Sequence, residues 1–433
     1  VLIQFPMTQI TTDRTNGVLP ASGNVSFHLR MFNARHPYTL PREYNMIVST
    51  VSRAWNEGTG LDMEDYSNSG SSNWTTAASA SSGVTAWTTE GGDYHAEPRF
   101  TASFEDGTED IEIDVSDAVE RWLAGSRDNY GFGVRMEDET ALSSSYTKKF
   151  FARGTEFFFR RPLIEARWDS ATRDDRGNFY FSSSLATSED NLNTVYLYNH
   201  VRGRLRDIPD IGTGSIHVSI YSGSADNSEP TGSRIVKVVD GTHVITDNPY
   251  VVTGGHVSTG IYSASFALTA ASNPLTTAFD VWHSGTTQFA TSSFSPKKLE
   301  SLAYNPYSRY VINITNLRDR YYRNETAQFR LYSRNKDWQP TIYVKASAVP
   351  ENNLVESGSY KVVRIVDNLD VIPFGTGSDN HTQLSYDVSG SYFDLDIDML
   401  EAGYSYGIKF AFYDDGAQSW NEYPDIFKFR VEE

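Results

Sequence analysis

Acidic side chains and tryptophans are concentrated in one long stretch of this 433-residue sequence, residues 56–93, which is also rich in glycine, serine and asparagine. Asp62, Glu64 and Asp65 supply carboxylate oxygens at a density that suits Ca²⁺, without the spacing of an EF-hand loop. A second acidic run, residues 106–110, has the same character. Paired carboxylates can also hydrolyse glycosidic bonds, but no spacing here fixes two of them at a catalytic separation. Calcium is therefore the one metal that the sequence suggests, and acidic turns without metal are the alternative.

Aromatic residues interleave with these acids and favour binding over catalysis. Trp74, Trp87, Asp93 and Tyr94 combine aromatic rings with a carboxylate, and such groups bind sugars without cleaving them. We therefore predict that these four residues contact a glycan or another partner. The alternative is that the rings pack the long loop onto its domain, which is the role we expect for Trp55.

The most basic part of the sequence, residues 309–336, alternates arginines with aromatic residues. Arg318, Arg320, Tyr321 and Arg323 have the chemistry to stack single-stranded bases, but arginine and tyrosine are also enriched at protein interfaces. The chain carries a formal net charge of −18, whereas phosphate binding requires a basic face. We therefore predict a protein partner, such as an acidic unit of a neighbouring copy in a homo-oligomer, and no nucleic acid. An ordinary ionic surface on strands is the alternative.

Sequence signatures of catalysis are missing. The chain has no cysteine, which excludes thiolate nucleophiles, cysteine-ligated zinc and disulfides. Its nine histidines form no His-x-His or His-x-x-x-His pair, and no G-x-S-x-G elbow or Walker-type phosphate loop occurs. We predict that the chain is not an enzyme and has no cofactor, calcium excepted. No apolar run approaches the ~20 residues that span a bilayer, so we also predict no membrane insertion.

Strands are the elements that must position these residues. The 26 Tyr and 24 Phe, with abundant Val, Ile and Thr, suit half-buried pleated surfaces, and turn signals recur between the apolar runs. A chain of this length holds roughly two to four domains. We predict an all-β protein of tandem jelly-roll or immunoglobulin-like sandwiches with the domains 1–168, 169–298 and 299–433, the last with an acidic C-terminal part.

The first of these domains has one predicted helix. Ser116 is a suitable N-cap, Val119, Trp122 and Leu123 share one face, and Gly125 is a suitable stop. The periodicity predicts a single short helix that packs on a sheet through this face.

Two tyrosines indicate how the later domains are built. Tyr262 and Tyr404 each enter a strand whose alternate residues are apolar, as the corner tyrosine of immunoglobulin-like sandwiches does. We predict corner tyrosines at both positions, with chance similarity between aromatic-rich strands as the alternative.

A series of motifs in residues 1–168 resembles the DNRLRE family, a β-sandwich module with carbohydrate-binding relatives. In chain order the motifs are Leu2-Ile3-Gln4-Phe5, Arg53-Ala54-Trp55-Asn56-Glu57-Gly58-x-Gly60, Trp74 with Trp87, Gly91-Gly92-Asp93-Tyr94, Val119-x-x-Trp122-x-x-Gly125 and Asn129-Tyr130-Gly131. In such modules the preceding sequence supplies an edge strand. Because Val1 to Phe5 already has the pattern of a strand interior, we expect N-terminal strands upstream of this sequence.

This version of the module resembles one in structural proteins of marine and cyanobacterial bacteriophages. The segments that carry this resemblance are residues 60–67, 91–95, 162–168 and 375–381. It implies a virion structural protein of the head, neck or tail, which is assembled in the host cytoplasm, exposed outside the cell, and bound to other virion proteins. The alternatives are a carbohydrate-binding adhesin or receptor-binding fibre, and the non-catalytic part of a polysaccharide-degrading enzyme.

Overall fold

The computed structural model describes residues 1–58, 71–80, 83–137, 146–223, 238–239, 244–245, 251–268, 275–298, 309–338, 342 and 352–433. The described chain consists mainly of antiparallel strands and divides into two compact units, Val1–Asp169 and Ser170–Glu433. The all-β architecture of tandem β-sandwiches that the sequence predicts is confirmed. The predicted boundary between residues 298 and 299 falls inside the second unit. Within the described ranges, no helix is both long and apolar enough to cross a lipid bilayer.

The first unit contains nine strands and two α-helices among its described residues. The strands are β1 (Leu2–Ile3), β2 (Ser26–Met31), β3 (Tyr44–Val51), β4 (Thr76–Ala80), β5 (Gly83–Ala86), β6 (Tyr94–Phe104), β7 (Ile111–Asp114), β8 (Phe132–Met136) and β9 (Leu163–Arg167). The helices are α1 (Thr8–Thr15) and α2 (Ser116–Leu123), and a 3₁₀ turn spans Phe158–Arg160.

Two sheets of the first unit face each other across one core. One sheet has the strand order β1-β8-β3-β6 and the other β7-β2-β9, while β4 and β5 form a separate hairpin. Alternate residues of β2, including Phe27 and Leu29, are fully buried, and they share a core cluster with Val48 of β3 and Phe132 of β8. This alternation is what a strand with one face on a core requires.

The predicted helix is present as α2, and a second helix precedes it. The Trp122 ring packs 4.8 Å from the Phe132 ring, so the predicted face is the buried one. Val115, and not Ser116, occupies the N-cap position, and Ser116 Oγ instead accepts the backbone N–H of Phe27 at 2.8 Å. Helix α1 was not predicted, because it buries none of its residues and therefore has no apolar face to detect.

The first group of strands in the second unit forms an eight-stranded sheet and a small hairpin. These strands are β10 (Asn193–Tyr198), β11 (His200–Val201), β12 (Arg204–Leu205), β13 (Ile216–Gly223), β14 (Val238–Val239), β15 (Val244–Ile245), β16 (Val252–Ser258), β17 (Ile261–Leu268), β18 (Thr277–Ser284) and β19 (Thr287–Phe294). The sheet order is β15-β14-β17-β16-β13-β18-β19, with β10 also paired to β17, and β11 pairs with β12. A 3₁₀ turn, Asp175–Gly177, precedes the group.

Aromatic side chains fill the core of this group. Phe179, Phe266 and Trp282 are completely buried, and the Phe179 and Phe266 ring centroids lie 5.3 Å apart. Tyr262 is completely buried, and its hydroxyl accepts the Ile208 backbone N–H at 3.0 Å and donates to the Gly212 carbonyl at 2.8 Å. A corner tyrosine bonds the backbone a few residues upstream, whereas these partners are 54 and 50 residues away, so the corner prediction is wrong for Tyr262. These two hydrogen bonds attach the segment that precedes β13 to strand β17.

The second group of strands in this unit forms two further sheets. Its strands are β20 (Tyr310–Ile314), β21 (Arg320–Tyr322), β22 (Thr326–Asn335), β23 (Gly358–Arg364), β24 (Leu369–Ile372), β25 (Ser385–Asp387), β26 (Gly390–Asp396), β27 (Ser405–Asp414), β28 (Ser419–Glu422) and β29 (Phe427–Glu432), with a 3₁₀ turn at Ile397–Met399. The sheet orders are β20-β22-β26-β25 and β21-β29-β27-β23-β24, and β28 pairs with β27.

These two sheets form a sandwich with an aromatic core. Tyr360 of β23 stacks on Phe393 of β26 with ring centroids 4.0 Å apart, which joins the sheets directly. The corner tyrosine of this sandwich is Tyr406, whose hydroxyl donates to the Glu401 carbonyl at 2.8 Å. The predicted Tyr404 is 36% exposed, so that prediction is wrong by two residues.

Candidate functional site

Asp93, one of the predicted contact residues, organises the loop that contains it. Its carboxylate accepts the backbone N–H groups of Thr88, at 2.9 Å, and Thr89, at 3.1 Å, and lies 3.2 Å from the Arg53 guanidinium. Desolvation raises the pKa of Asp93, but these hydrogen bonds and Arg53 outweigh that effect and lower it overall. The carboxylate is therefore already occupied by its own loop.

Trp87 and Tyr94 also hold the loop together. Trp87 is only 7% exposed, and its indole N–H donates to the Asn73 carbonyl at 2.9 Å. The Tyr94 hydroxyl donates to the Gly91 carbonyl at 2.8 Å. Both rings belong to a small core with Val51. Their predicted role as ligand contacts is corrected to one of packing, the alternative that the sequence left open.

Trp74 is the member of the predicted set that remains at the surface. Its side chain is 55% exposed, and the backbone N–H of Gly91 donates to its carbonyl at 2.7 Å. Gly91 has a φ of +93°, and a Cβ at this position would lie 2.9 Å from the Trp74 ring. The glycine thus lets the backbone approach the indole closely, and one ring of the loop stays open to solvent.

The arginines around β21 are paired with acids of their own chain. Arg318 lies 2.7 Å from Glu325, Arg320 lies 3.1 Å from Glu432, and Arg323 lies 3.0 Å from Asp398. Each pair is at least partly exposed, so each contributes little stability by itself. The acidic groups that we expected a neighbouring copy to supply are therefore present within this chain.

Two apolar side chains lie among these ion pairs. Tyr322 and Met399 are each 49% exposed, next to Arg323 and Asp398 respectively. Tyr321, which the sequence placed among the partner contacts, is instead 2% exposed, packs 5.3 Å from the Phe329 ring and is a core residue. This correction follows from strand alternation, because neighbours in β21 point to opposite faces. We name the exposed set Arg318, Arg320, Tyr322, Arg323 and Met399 the β21 surface.

The predicted calcium ligands Asp62, Glu64 and Asp65 lie outside the described residues. In the second acidic run, Glu109 Oε1 accepts the backbone N–H groups of Glu105 and Asp106 at 2.7 and 2.6 Å. In the part of the chain that the structure describes, no three acidic or histidine side chains gather as a metal site.

A polar cleft of about 930 Å³ opens in the second unit between its two groups of strands. Its lining includes Tyr180 and Asn178 from before β10, Trp338 from after β22, and Glu356 and Tyr413 near β23 and β27. Tyr413 is 37% exposed and stands edge-on to Trp420, at 5.6 Å. The cleft therefore combines partly exposed aromatic rings with amide and carboxylate groups, a lining typical of ligand sites.

Glu356 is the most perturbed acid in the cleft. Its carboxylate accepts the Asn178 amide N–H at 2.9 Å. Desolvation by the cleft walls raises the pKa of Glu356, the nearby charges of Asp175 and Asp415 raise it further, and the hydrogen bond from Asn178 lowers it. The residue itself remains exposed to solvent. The same walls and the charge of Glu356 raise the pKa of Tyr180. These groups form a hydrogen-bonding set on one side of the cleft.

A buried ionic network lies beneath this side of the cleft. The Arg176 guanidinium binds the fully buried Asp280, at 2.8 Å for one of the two contacts. Asp175 accepts the Tyr386 hydroxyl at 2.7 Å and the Thr194 backbone N–H at 2.6 Å. These bonds tie the Asp175–Gly177 turn to both groups of strands and fix the wall from which Asn178 projects.

Nothing in the local sequence indicates this site. Asn178 and Glu356 are 178 residues apart in the chain, and each looks like an ordinary turn residue in its local sequence. A pattern of local spacing in the sequence cannot indicate a pair of residues that only the packing of strands brings together.

No family model and no curated protein matches the sequence. One matching solved structure is "Crystal structure of DIP-gamma IG1+IG2", at 10% identity and a TM-score of 0.14, which covers 56% of this chain and 90% of that chain. Another is Salmonella alpha-2-macroglobulin reacted with methylamine, at 9% identity and a TM-score of 0.16, with 94% of this chain and 21% of that chain covered. This chain spans about a fifth of the macroglobulin's length. Likenesses at these TM-scores carry no argument, so the fold rests on the strands and cores described above.

Proposed function

We propose that this chain is a non-catalytic structural protein of a bacteriophage particle and that it acts by protein–protein assembly. The family resemblance in residues 1–168 suggests the setting, and the β21 surface is the observation that carries the assembly role. Tyrosine, methionine and arginine are the side chains enriched at interface cores, and they occur together on that surface.

The internal ion pairs suit this role. Because Arg318, Arg320 and Arg323 are neutralised within the chain, the β21 surface presents apolar area without a large field of one sign. A partner can then cover Tyr322 and Met399 without stripping water from unpaired charges, which is the costly step in burying ions. The partner that we propose is a second copy of this chain or a neighbouring protein of the particle.

Electron microscopy of purified particles, labelled with a gold-conjugated antibody raised against the full chain, tests the setting. We expect label at fixed, symmetric places on head, neck or tail. Label on cell surfaces and none on particles would instead favour the adhesin alternative.

Sedimentation of the purified full chain tests the assembly surface. We expect oligomers that dissociate in the double variant Tyr322→Ala/Met399→Ala, because truncating anchors of this type removes most of the energy of an interface. Leu185→Ala is the matched control, since Leu185 is 97% exposed and lies outside the β21 surface. A compact monomer that neither self-associates nor binds particles would refute the proposal.

A further inference from the structure

We infer that the polar cleft of the second unit is a binding site for a non-anionic oligosaccharide. This inference goes beyond the proposed assembly role and does not depend on it. The lining of this one cleft contains both partly exposed aromatic rings and fixed amide and carboxylate groups. Sugar rings present C–H faces that pack on aromatics, and hydroxyl groups that both donate and accept hydrogen bonds.

The aromatic part of the site comes from two sides of the cleft. Trp338 lies beneath the Arg334 guanidinium, 5.1 Å from the ring centroid, and this contact restrains the indole. Tyr413 is held edge-on by Trp420. Rings that are restrained before a ligand arrives lose little conformational entropy on binding, which favours even weak contacts with sugar faces.

The polar part of the site is also fixed in advance. Asn178 is oriented by Glu356, and the Asn352 amide donates to the Ser389 carbonyl at 2.9 Å while accepting the Ser333 N–H at 3.0 Å. Each of these groups retains lone pairs or N–H bonds for a further partner. The cleft therefore presents donors and acceptors in a rigid arrangement, as the recognition of a polyhydroxylated ligand requires.

The charge of the cleft defines the class of glycan. Its acidic lining residues are Asp190, Asp337, Glu356, Asp387, Asp414 and Asp415, and among the described lining residues Lys297 is the one base. Uronate or sulfate groups would meet like charge in the cleft, which disfavours their binding. The site thus excludes anionic polysaccharides and, for the same reason, nucleic acid.

Two of these carboxylates are already bonded within the chain, so they offer less to a basic peptide than free carboxylates would. Arg330 lies 2.7 Å from Asp387, and Asp414 accepts the N–H groups of Gly416 and Ala417 at 2.9 and 3.0 Å. These two act as oriented acceptors, while the cleft as a whole keeps an excess of acidic groups. At roughly 30 Å³ of liquid per water, the cleft volume corresponds to about 30 waters, so it accommodates more than one sugar ring.

Saturation-transfer NMR on the full chain tests the inference with named probes. These are maltohexaose, cellohexaose, chitohexaose and mannohexaose as neutral glycans, oligogalacturonate and dextran sulfate as anionic ones, and hexalysine as a basic peptide. We expect saturable binding of at least one neutral probe and none of the anionic probes. Trp338→Ala should weaken that binding roughly tenfold, which corresponds to ~1.4 kcal/mol. Glu356→Gln, which keeps the shape of the side chain, should also weaken it.

Trp74→Ala is the matched control, because it removes an exposed indole from the first unit and leaves the cleft intact. Circular dichroism of each variant shows whether it is folded. Binding that Trp74→Ala abolishes and Trp338→Ala preserves would place the site in the first unit and overturn the inference. Saturable binding of hexalysine or of an anionic probe alone, or of no probe in the panel, would overturn it as well.

Discussion

The replacement Asp174→Asn is expected to stabilise the protein, although it removes an acid next to an arginine. Asp174 is 3% exposed and precedes the Asp175–Gly177 turn, where its carboxylate accepts the Arg176 backbone N–H at 3.1 Å. Burial is the largest effect on the pKa of Asp174 and raises it. The charge of Arg176 lowers the pKa, the charges of Asp175 and Asp280 raise it, and the resulting pKa is about 6. The net environment therefore favours the protonated carboxyl.

The size of the effect follows from linkage. A carboxyl whose pKa is raised in the folded state binds its proton more tightly there, so stability falls as pH rises from the unfolded pKa through the folded one. The rise from 3.8 to about 6 is roughly two units, and at about 1.4 kcal/mol per unit this gives roughly 3 kcal/mol. Asparagine can accept the same N–H but carries no charge. Asp174→Asn should therefore be more stable than the wild type by roughly 3 kcal/mol at pH 8, and by roughly half of 1 kcal/mol at pH 4.

Urea unfolding of the full-length wild type and variant, monitored by tryptophan fluorescence, measures the difference in unfolding free energy at pH 4 and at pH 8. Asp210→Asn is the matched control, since Asp210 is an exposed carboxylate of the same unit and its replacement should leave stability unchanged at both pH values. A variant that is less stable than the wild type at pH 8 would show that the Asp174 charge is favourable through Arg176. A gain in stability of equal size at both pH values would show that the gain does not come from the titration of Asp174.

Three further outcomes test the packing of the two units. Trp87→Ala should cost about 3–5 kcal/mol in urea unfolding, because it leaves a cavity, whereas Trp74→Ala should cost well under 1 kcal/mol; equal costs would contradict the assigned roles. Tyr262→Phe should cost about 1–3 kcal/mol, because it leaves the buried Ile208 N–H without its acceptor, and an unchanged midpoint would show that this hydrogen bond does not stabilise the fold. Gly131→Ala should lower the melting temperature by several degrees, because φ is +80° and the new Cβ would lie 2.1 Å from a backbone oxygen of β1; a melting temperature equal to that of wild type would show that β1 yields freely.

Local periodicity in the sequence was sufficient to predict much of the fold. Tyr44–Val51 and Ile261–Leu268 are strands of the all-β architecture that the sequence predicts, and the face of α2 is the predicted one. Both strands bury their side chains heavily, and α2 buries one face, so the burial pattern is visible in the residue order. The corner tyrosine shows the limit of this method. Tyr404 and Tyr406 differ by one strand period and lie on the same side of the chain, so alternation cannot choose between them.

The candidate site was beyond the reach of such patterns for two physical reasons. Composition indicated that tryptophans and acids gather between residues 56 and 93. It could not indicate whether Trp74 or Trp87 faces solvent, because that depends on the register of the hairpin. The cleft is a product of tertiary packing, since Glu356 meets Asn178 only after both groups of strands have formed. Ion pairing was only partly visible: Glu325 lies 7 residues from its partner Arg318, whereas Glu432 and Asp398, the partners of Arg320 and Arg323, come from distant parts of the chain.

The segment that opens the second unit has a consequence for inheritance. Thr172 exchanges backbone and side-chain bonds with Ser385 and Tyr386, and the Asp174 N–H donates to the Tyr386 carbonyl at 3.0 Å. The short segment that precedes the first group of strands is thus hydrogen-bonded to β25, an edge strand of the second group. Neither sandwich of this unit is a portable module that recombination can transplant alone. A gene exchange that moves β25 without the segment around residue 172 would remove these hydrogen bonds. We therefore expect β25 and this segment to be inherited together and to change together.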